Sequence, residues 1–140
     1  MIDLDELHNK LDNYCYDMII ATEVIEHLQR DFSEICRFML KCLTPGGIAF
    51  VTTPNAARLS NIHLLLNDKC PQQRFTNFNN IKGGHYHFRE YTMSELLKSI
   101  VENGGEAICA AYSHCFFDET DWDESAYYLR SNLVIAFRRG

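Results

Sequence analysis

Residues 16–28 read Tyr-Asp-Met-Ile-Ile-Ala-Thr-Glu-Val-Ile-Glu-His-Leu, and this stretch decides the fold. Its apolar run from Met18 to Ala21 is too short for an ordinary helix and suits a strand that is buried on both faces. The polar side chains that follow directly are Thr22, Glu23, Glu26 and His27. Ligands bind at the carboxyl ends of the strands in an open α/β sheet. The stretch therefore predicts a parallel strand that delivers carboxylates and an imidazole into a crevice.

The polar residues after this strand have helical spacing. If a helical turn begins at Glu23, Glu26 and His27 follow at the third and fourth positions and share one face with it. Val24 and Leu28 then pack together on another face. We therefore expect Glu23, Glu26 and His27 to form one group.

The rest of the chain alternates between helical and strand patterns. The helical period and the capping residues predict helices over Arg30–Leu43 and Ala56–Leu66, and a third that starts at Thr92 and ends at Gly104-Gly105. Further strands are predicted over Ile48–Thr52, Ala107–Tyr112 and Leu133–Phe137. Strand–helix–strand units are right-handed and parallel, and the last two strands read as a hairpin. The predicted fold class is α/β: a mixed sheet of about four strands with helices on both faces and an antiparallel last strand.

Composition excludes several classes of protein. A chain of 140 residues with a net charge of -6 is one domain without a broad phosphate-binding face, so nucleic acid is not the expected partner. Neither a secretory signal nor an apolar run of membrane-spanning length is visible, which predicts no membrane partner. The six cysteines include no CxxC pair. We read them as reduced thiols of a cytoplasmic protein.

Four words occur in an informative order: EVIEHL (23–28), LTPGG (43–47), TTPN (52–55) and HFREYT (87–92). Together they resemble the class I S-adenosylmethionine-dependent methyltransferases, over nearly the whole chain from about Asp3. The resemblance implies a Rossmann-like fold. That family's glycine-rich cofactor loop has no counterpart in this sequence, so residues 1–140 resemble the C-terminal half of such a domain. We therefore expect the chain alone to bind S-adenosylmethionine weakly or not at all.

The resemblance also implies roles for individual residues on the cofactor side. Asp3 and Leu4 match a segment that lies beside the adenosine, although Asp3 is equally suited to capping a surface turn. Thr22 and Glu23 match positions beside the sulfonium and amino group of the cofactor, where a carboxylate complements positive charge.

Other residues are candidates on the acceptor side. His27 and His87 are the candidate bases, because an oxygen or nitrogen nucleophile must lose a proton. The alternatives are that His27 caps a turn and that His87 bonds its own loop. Asn55 is a candidate ligand of the substrate, or the residue of a local side-chain turn.

Three functions follow from these assignments. The main expectation is methyl transfer, without a metal, to an oxygen or nitrogen of a small-molecule, lipid or sugar acceptor. One alternative is a non-catalytic methyltransferase-like binding module, or one half of a split enzyme. The second resembles the small-RNA 3′-end 2′-O-methyltransferases, in which Mn or Mg assists; here the cation would lie among Glu23, Glu26, His27 and His87.

Two features concern partners and access. Two loops are predicted, over Asn67–Lys82 and over the acidic stretch Phe117–Tyr127. We expect the first, a long polar connection, to contribute to substrate selection. In the family's strand order, the strand Asp17–Thr22 would be an exposed edge here. Apolar edges recruit other chains or are covered. We expect a homodimer across this edge, the alternatives being a complementing N-terminal half or a cover formed by Met1–Tyr14.

Overall fold

Four strands and three α-helices are found in the part of the chain that the structure, a computed structural model, describes: residues 15–72, 86–113 and 128–140. In chain order they are β1 (Tyr16–Thr22), a short 3-10 helix (Ile25–His27), α1 (Phe32–Cys42), β2 (Leu43–Pro54), α2 (Leu59–Leu66), α3 (Met93–Glu102), β3 (Gly105–Ser113) and β4 (Asn132–Arg139). The predictions for Asp3, Leu4, the Met1–Tyr14 cover and the Phe117–Tyr127 loop lie outside the described residues. Most of the Asn67–Lys82 connection lies outside them as well.

The sheet has the strand order β1-β2-β4-β3. Strands β1 and β2 pair in parallel, with Ile19 opposite Ala49 and Ala21 opposite Val51. Strand β4 lies between β2 and β3 and is antiparallel to both. Strands β1, β2 and β3 therefore run in one direction and β4 in the other. The predicted mixed α/β sheet with an antiparallel last strand is confirmed.

The hydrophobic core lies on one face of the sheet. Phe32 and Ile35 of α1 and Leu96 and Ile100 of α3 are buried there in one cluster. The sheet contributes Ala21, Ala49, Val51, Leu133, Ile135 and Phe137 to the same cluster. The other face includes Met18 and Ile20, whose relative exposures are 57% and 63%.

Helices α1 and α3 pack on the same side of the sheet, the side of this core. The topology supplies the reason. The connections β1–α1–β2 and β2–α3–β3 step along the sheet in the same direction, and right-handed crossovers in one direction place their helices on one face.

Strand β2 begins five residues earlier than predicted, because the chain is already extended at Leu43. Its pairing with β1 shifts between Tyr16 and Met18, opposite the Pro45-Gly46-Gly47 turn. Gly46 has a φ of 83°, which favours glycine. A Cβ atom on Gly47 would lie 2.8 Å from the backbone oxygen of Tyr16, so the two strands approach closely only because this residue has no side chain.

Helix α3 begins with a capping box. The Thr92 hydroxyl accepts from the Glu95 backbone N–H, and the Glu95 carboxylate accepts from the Thr92 backbone N–H at 2.8 Å. Glu95 also accepts from Arg89 at 2.8 Å. Burial alone would raise the pKa of Glu95, but these hydrogen bonds hold it below the ordinary value of 4.5.

The sign of this shift predicts a pH dependence of stability. A lowered folded-state pKa stabilises the protein above the unfolded value, and the stabilisation is lost as pH falls through the folded value. We expect Glu95→Gln to lower the melting temperature at pH 7 and to have a smaller effect below pH 4. The matched control is Glu102→Gln in the last turn of the same helix, which should change neither measurement. Equal losses for Glu95→Gln at both pH values would contradict the shift.

Strand β1 pairs with β2 alone among the described residues, so its outer edge has no described neighbour. The homodimer across Asp17–Thr22, and its alternative, a complementing half, stay predictions. We expect light scattering at micromolar concentration to give a dimer, with slow amide exchange at Met18–Ala21. A monomer whose amides exchange freely there would show that the edge of β1 stays uncovered in solution and would contradict the dimer.

Two smaller findings concern the helices and the cysteines of the described residues. In the described ranges, none of the helices combines the length and the apolar character that crossing a bilayer requires. The five cysteines described there are free thiols, and burial raises the pKa of Cys36 to about 12.

Candidate functional site

The polar residues after β1 follow a sharp turn rather than a regular helix. Glu23 has a φ of 53°, in the left-handed region, and its backbone N–H donates to the Thr52 carbonyl at 3.0 Å. The 3-10 helix Ile25–His27 begins two residues later. The expected common helical face of Glu23, Glu26 and His27 is therefore wrong. The left-handed turn sends Glu23 one way and Glu26 into the interior.

Glu23 is fixed on the carboxyl edge of the sheet. Its Oε1 accepts from the Thr52 hydroxyl and from the Asn132 amide, each at 2.8 Å. The residue is half-buried, and the neighbouring Thr22 is exposed. A carboxylate held by two donors beside an open strand end presents fixed negative charge. This arrangement fits a cationic group of a ligand.

Glu26 is completely buried, with 0% relative exposure. Its Oε2 accepts from the Thr53 hydroxyl at 2.9 Å, while no described residue donates to its Oε1. Burial raises the pKa of Glu26, and the hydrogen bonds offset only part of that effect. The backbone oxygen of Glu26 accepts from the Phe88 N–H at 2.7 Å, which ties the HFREYT segment to the end of β1.

His27 and His87 meet beside Glu26. Their rings are edge-to-face with centroids 4.9 Å apart. The Nδ1 of His27 donates to the Tyr86 carbonyl at 2.9 Å, and its Nε2 lies 3.7 Å from Glu26 Oε1. One donor atom from each of Glu26, His27 and His87 lies within 4.8 Å of the others. Three of the four residues considered for a cation are therefore together, and Glu23 is engaged elsewhere.

A second network holds the other side of His87. Its Nδ1 lies 3.1 Å from Glu90 Oε1. The opposite oxygen, Glu90 Oε2, accepts from the Arg58 guanidinium and, at 3.1 Å, from the Asn61 amide. Burial alone would raise the pKa of Glu90, but the hydrogen bonds from Arg58 and His87 lower it below 4.5. Glu90 is therefore a carboxylate, which can only accept.

His87 and Glu90 line a cleft of about 310 Å³. Its other walls are a mixture of aromatic, charged and small side chains: Ala56, Arg58, Asn61, Pro71, Gln72, Tyr86, Phe88 and Arg89. Small-molecule sites in proteins begin at about this size. The cleft is the candidate acceptor pocket.

Asn55 is 1% exposed and closes the end of β2. Its Nδ2 donates to the carbonyls of Tyr128 and Arg130 at 2.9 and 2.8 Å, and its Oδ1 accepts from the Ala57 N–H at 2.9 Å. Both amide hydrogens are thus used to hold neighbouring segments. Its contact with a substrate stays a prediction.

The structure brings together two predicted residues, His27 and His87, and places Thr22 and Glu23 at the same sheet edge. Sequence reasoning missed Glu90, Arg58, Asn61 and Asn132. Glu90 alone had a local signal, since it stands three residues after His87 in the HFREYT word. The others come from distant parts of the chain.

Comparisons with known proteins identify the family of this chain. A family model described as a methyltransferase domain matches residues 5–124. A curated relative, the mitochondrial ubiquinone biosynthesis O-methyltransferase of Rattus norvegicus, is 26% identical over 117 residues. That alignment covers 79% of this chain and 31% of the rat protein.

Solved structures share the fold. An S-adenosylmethionine-dependent methyltransferase from Archaeoglobus fulgidus gives a TM-score of 0.60 at 12% identity, covering 99% of this chain and 66% of its own. One from Clostridium acetobutylicum gives 0.58 at 9% identity, covering 91% and 60%. The chain thus spans less than two thirds of the length of these relatives. With the family match over most of its length and a sheet of the same fold, the chain belongs to the class I S-adenosylmethionine-dependent methyltransferase family.

Proposed function

We propose that this chain takes part in S-adenosylmethionine-dependent transfer of a methyl group to an oxygen or nitrogen of a small-molecule, lipid or sugar acceptor. The observation that carries the proposal is the cleft of about 310 Å³ beside His87, which lies next to the carboxyl edge of the sheet. The family match and the O-methyltransferase activity for which the rat relative is named support it.

The cofactor side is assigned to Thr22 and Glu23. S-adenosylmethionine supplies a methyl group that its sulfonium already activates. The Glu23 carboxylate, held by Thr52 and Asn132, offers a fixed negative charge to the positive groups of such a cofactor. Since the sequence lacks a glycine-rich loop, we expect tight cofactor binding to require additional polypeptide.

On the acceptor side, His87 is assigned as the general base. Its Nδ1 faces the Glu90 carboxylate and therefore carries a proton, which leaves Nε2 with a lone pair when the ring is neutral. With the cofactor bound, the acceptor oxygen or nitrogen would bond to the methyl carbon while the carbon–sulfur bond breaks and leaves a neutral thioether, and the acceptor's proton would pass to His87 Nε2. The remaining contribution of the protein is to align nucleophile and methyl group.

His27 plays a supporting part in this scheme. Its Nδ1–H donates to the Tyr86 carbonyl, so the ring packs edge-on against His87 in a fixed orientation. This contact helps to keep the His87 ring at the cleft wall.

The test is transfer of labelled methyl groups from S-adenosylmethionine into a small-molecule extract. The protein is assayed alone and in a cell lysate that supplies partner polypeptides, with His87→Ala as the control. We expect labelled product from wild-type protein, in the lysate if not alone, and a large loss with His87→Ala. No labelling above that of the lysate alone, under either condition, would refute the proposal and favour a binding module; equal labelling by wild-type protein and His87→Ala would refute the assignment of His87 as the base.

A second candidate function is metal-assisted 2′-O-methylation at an RNA end, and the Glu26–His27–His87 group favours it. Glu26 Oε1 is buried without a described donor, and both imidazoles donate through Nδ1, to Tyr86 and to Glu90. This leaves one carboxylate oxygen and two Nε2 atoms as ligands for a cation such as Mn. The other nitrogen of each ring donates to a carbonyl or a carboxylate, as is usual for histidines that bind a metal.

Calorimetry with Mn alone tests this candidate. If it holds, wild-type protein binds Mn and Glu26→Gln binds at least 10-fold more weakly. Glu34→Gln, an exposed acid on α1, is the control and should bind like wild type. Identical weak binding by all three proteins would eliminate the cation and leave the metal-free reaction.

A further inference from the structure

Glu90 has the contacts of a residue that orients another. Its side chain is only 18% exposed, and both its oxygens are engaged. One binds His87 Nδ1 at 3.1 Å, and the other accepts from Arg58 and Asn61. A carboxylate with a bonded partner on each oxygen has little freedom to turn.

The network joins two segments that are distant in sequence. Arg58 precedes the first turn of α2, and Asn61 lies within that helix. His87 and Glu90 lie just before α3. Arg58 also donates to the Asn55 carbonyl at 3.1 Å, so the end of β2 anchors the guanidinium. The position of the His87 ring is therefore set from the rigid end of the sheet.

Charged groups lie on both sides of the His87 ring. Glu90 faces Arg58, and the His87 ring also has Glu26 and His27 on its other side. Arg89, the other cation on the cleft wall, is paired with Asp31 and Glu95. Of these acids, Glu90 is the one that His87 Nδ1 contacts, at 3.1 Å.

We propose that Glu90 is a positioning residue of the reaction: it keeps the proton of neutral His87 on Nδ1 and so presents an unprotonated Nε2 to the acceptor. Arg58 and Asn61 hold Glu90 in that geometry. A neutral imidazole can carry its proton on either nitrogen, and the hydrogen bond at one nitrogen decides the state of the other. The catalytic part of this inference rests on the proposed function, whereas the orienting part does not.

The first experiment is nitrogen NMR of the His87 ring, recorded on its neutral form. Wild-type protein should show the proton on Nδ1. Glu90→Gln, which has the same shape but can donate to Nδ1, should move a large share of it to Nε2. The control is Glu106→Gln, which should leave the His87 signals unchanged; Glu106 lies on β3 and pairs with Arg138 of β4. Proton on Nε2 in wild-type protein, or unchanged signals in Glu90→Gln, would overturn the proposal.

The second experiment measures methyl transfer under the conditions in which wild-type protein is active. We expect Glu90→Gln to lower kcat by about 10- to 100-fold with little change in KM, and Glu90→Asp to recover part of the loss. A loss confined to KM would contradict a positioning role. If no preparation transfers methyl groups while NMR shows the expected proton shift, the proposed function fails and the orienting role of Glu90 stands.

A misfolded Glu90→Gln is recognised by circular dichroism, and Arg58→Gln then replaces it. This variant frees Glu90 without touching His87. It should give broadened or shifted His87 ring signals, and sharp wild-type signals would overturn the proposed role of Arg58.

Discussion

Replacing His87 with alanine is expected to lower the rate of methyl transfer by about 100- to 10,000-fold, the range in which a positioned general base contributes. The side chain lines the cleft and is held by Glu90 and packed against His27. Its removal leaves the nucleophile without an acceptor for its proton. The core is unaffected, since His87 is not part of the buried cluster.

The measurement is kcat and cofactor affinity, determined separately under the conditions in which wild-type protein is active. His87→Ala should lower kcat far more than cofactor affinity. Glu23→Gln should do the reverse, because it keeps the acceptor for Thr52 and Asn132 but loses the charge. His63→Ala, at an exposed position on α2, is the matched histidine control. Equal loss of cofactor affinity in His87→Ala and Glu23→Gln would contradict this division of roles.

Replacing Tyr91 with alanine is expected to lower the free energy of unfolding by about 3–5 kcal/mol, as removal of a large buried aromatic ring does. Tyr91 is 1% exposed and packs against Phe32, with ring centroids 6.0 Å apart. Its backbone forms a bridge with Asn55, and its carbonyl accepts from the Ala56 N–H at 2.9 Å. The ring therefore supports the segment that carries His87 and Glu90.

The conservative variant Tyr91→Phe separates packing from hydrogen bonding. It removes only the bond from the hydroxyl to the Arg30 carbonyl, 3.3 Å long, and should cost about 0.5–1.5 kcal/mol. Urea denaturation at neutral pH measures both variants. Similar losses for the two would mean that the hydroxyl, and not the ring, stabilises this part of the fold.

Local sequence signals were sufficient where one segment determines its own conformation. The Thr92–Glu95 capping box gave the start of α3, and the run Met18–Ala21 gave β1. The parallel direction of β1 and β2 followed from the helix between them. The side on which a helix packs is a less local property because it depends on strand order: two crossovers in the same direction put α1 and α3 on one face.

The candidate site was less predictable because its contacts join distant residues. Glu23 and Asn132 are separated by 109 positions, and Arg58 and Glu90 by 32. No spacing rule links such pairs. The left-handed turn at Glu23 could not be predicted from the sequence either, because that conformation is uncommon for residues other than glycine. This turn places Glu23 away from Glu26 and His27. The sequence had predicted all three in one cluster with His87.

The close approach of Gly47 to the Tyr16 carbonyl has a consequence for reading natural variants of this protein. A side chain at position 47 would push β1 away from β2 at the amino end of β1. Since Glu23, Glu26 and His27 follow directly from β1, that displacement would be transmitted along the strand to all three. In a saturation-mutagenesis screen for activity, position 47 should therefore tolerate substitutions as poorly as the site residues do, although it lies at the opposite end of the strands. Intolerance there would report a spacing requirement of the backbone and should not be mistaken for a second functional centre.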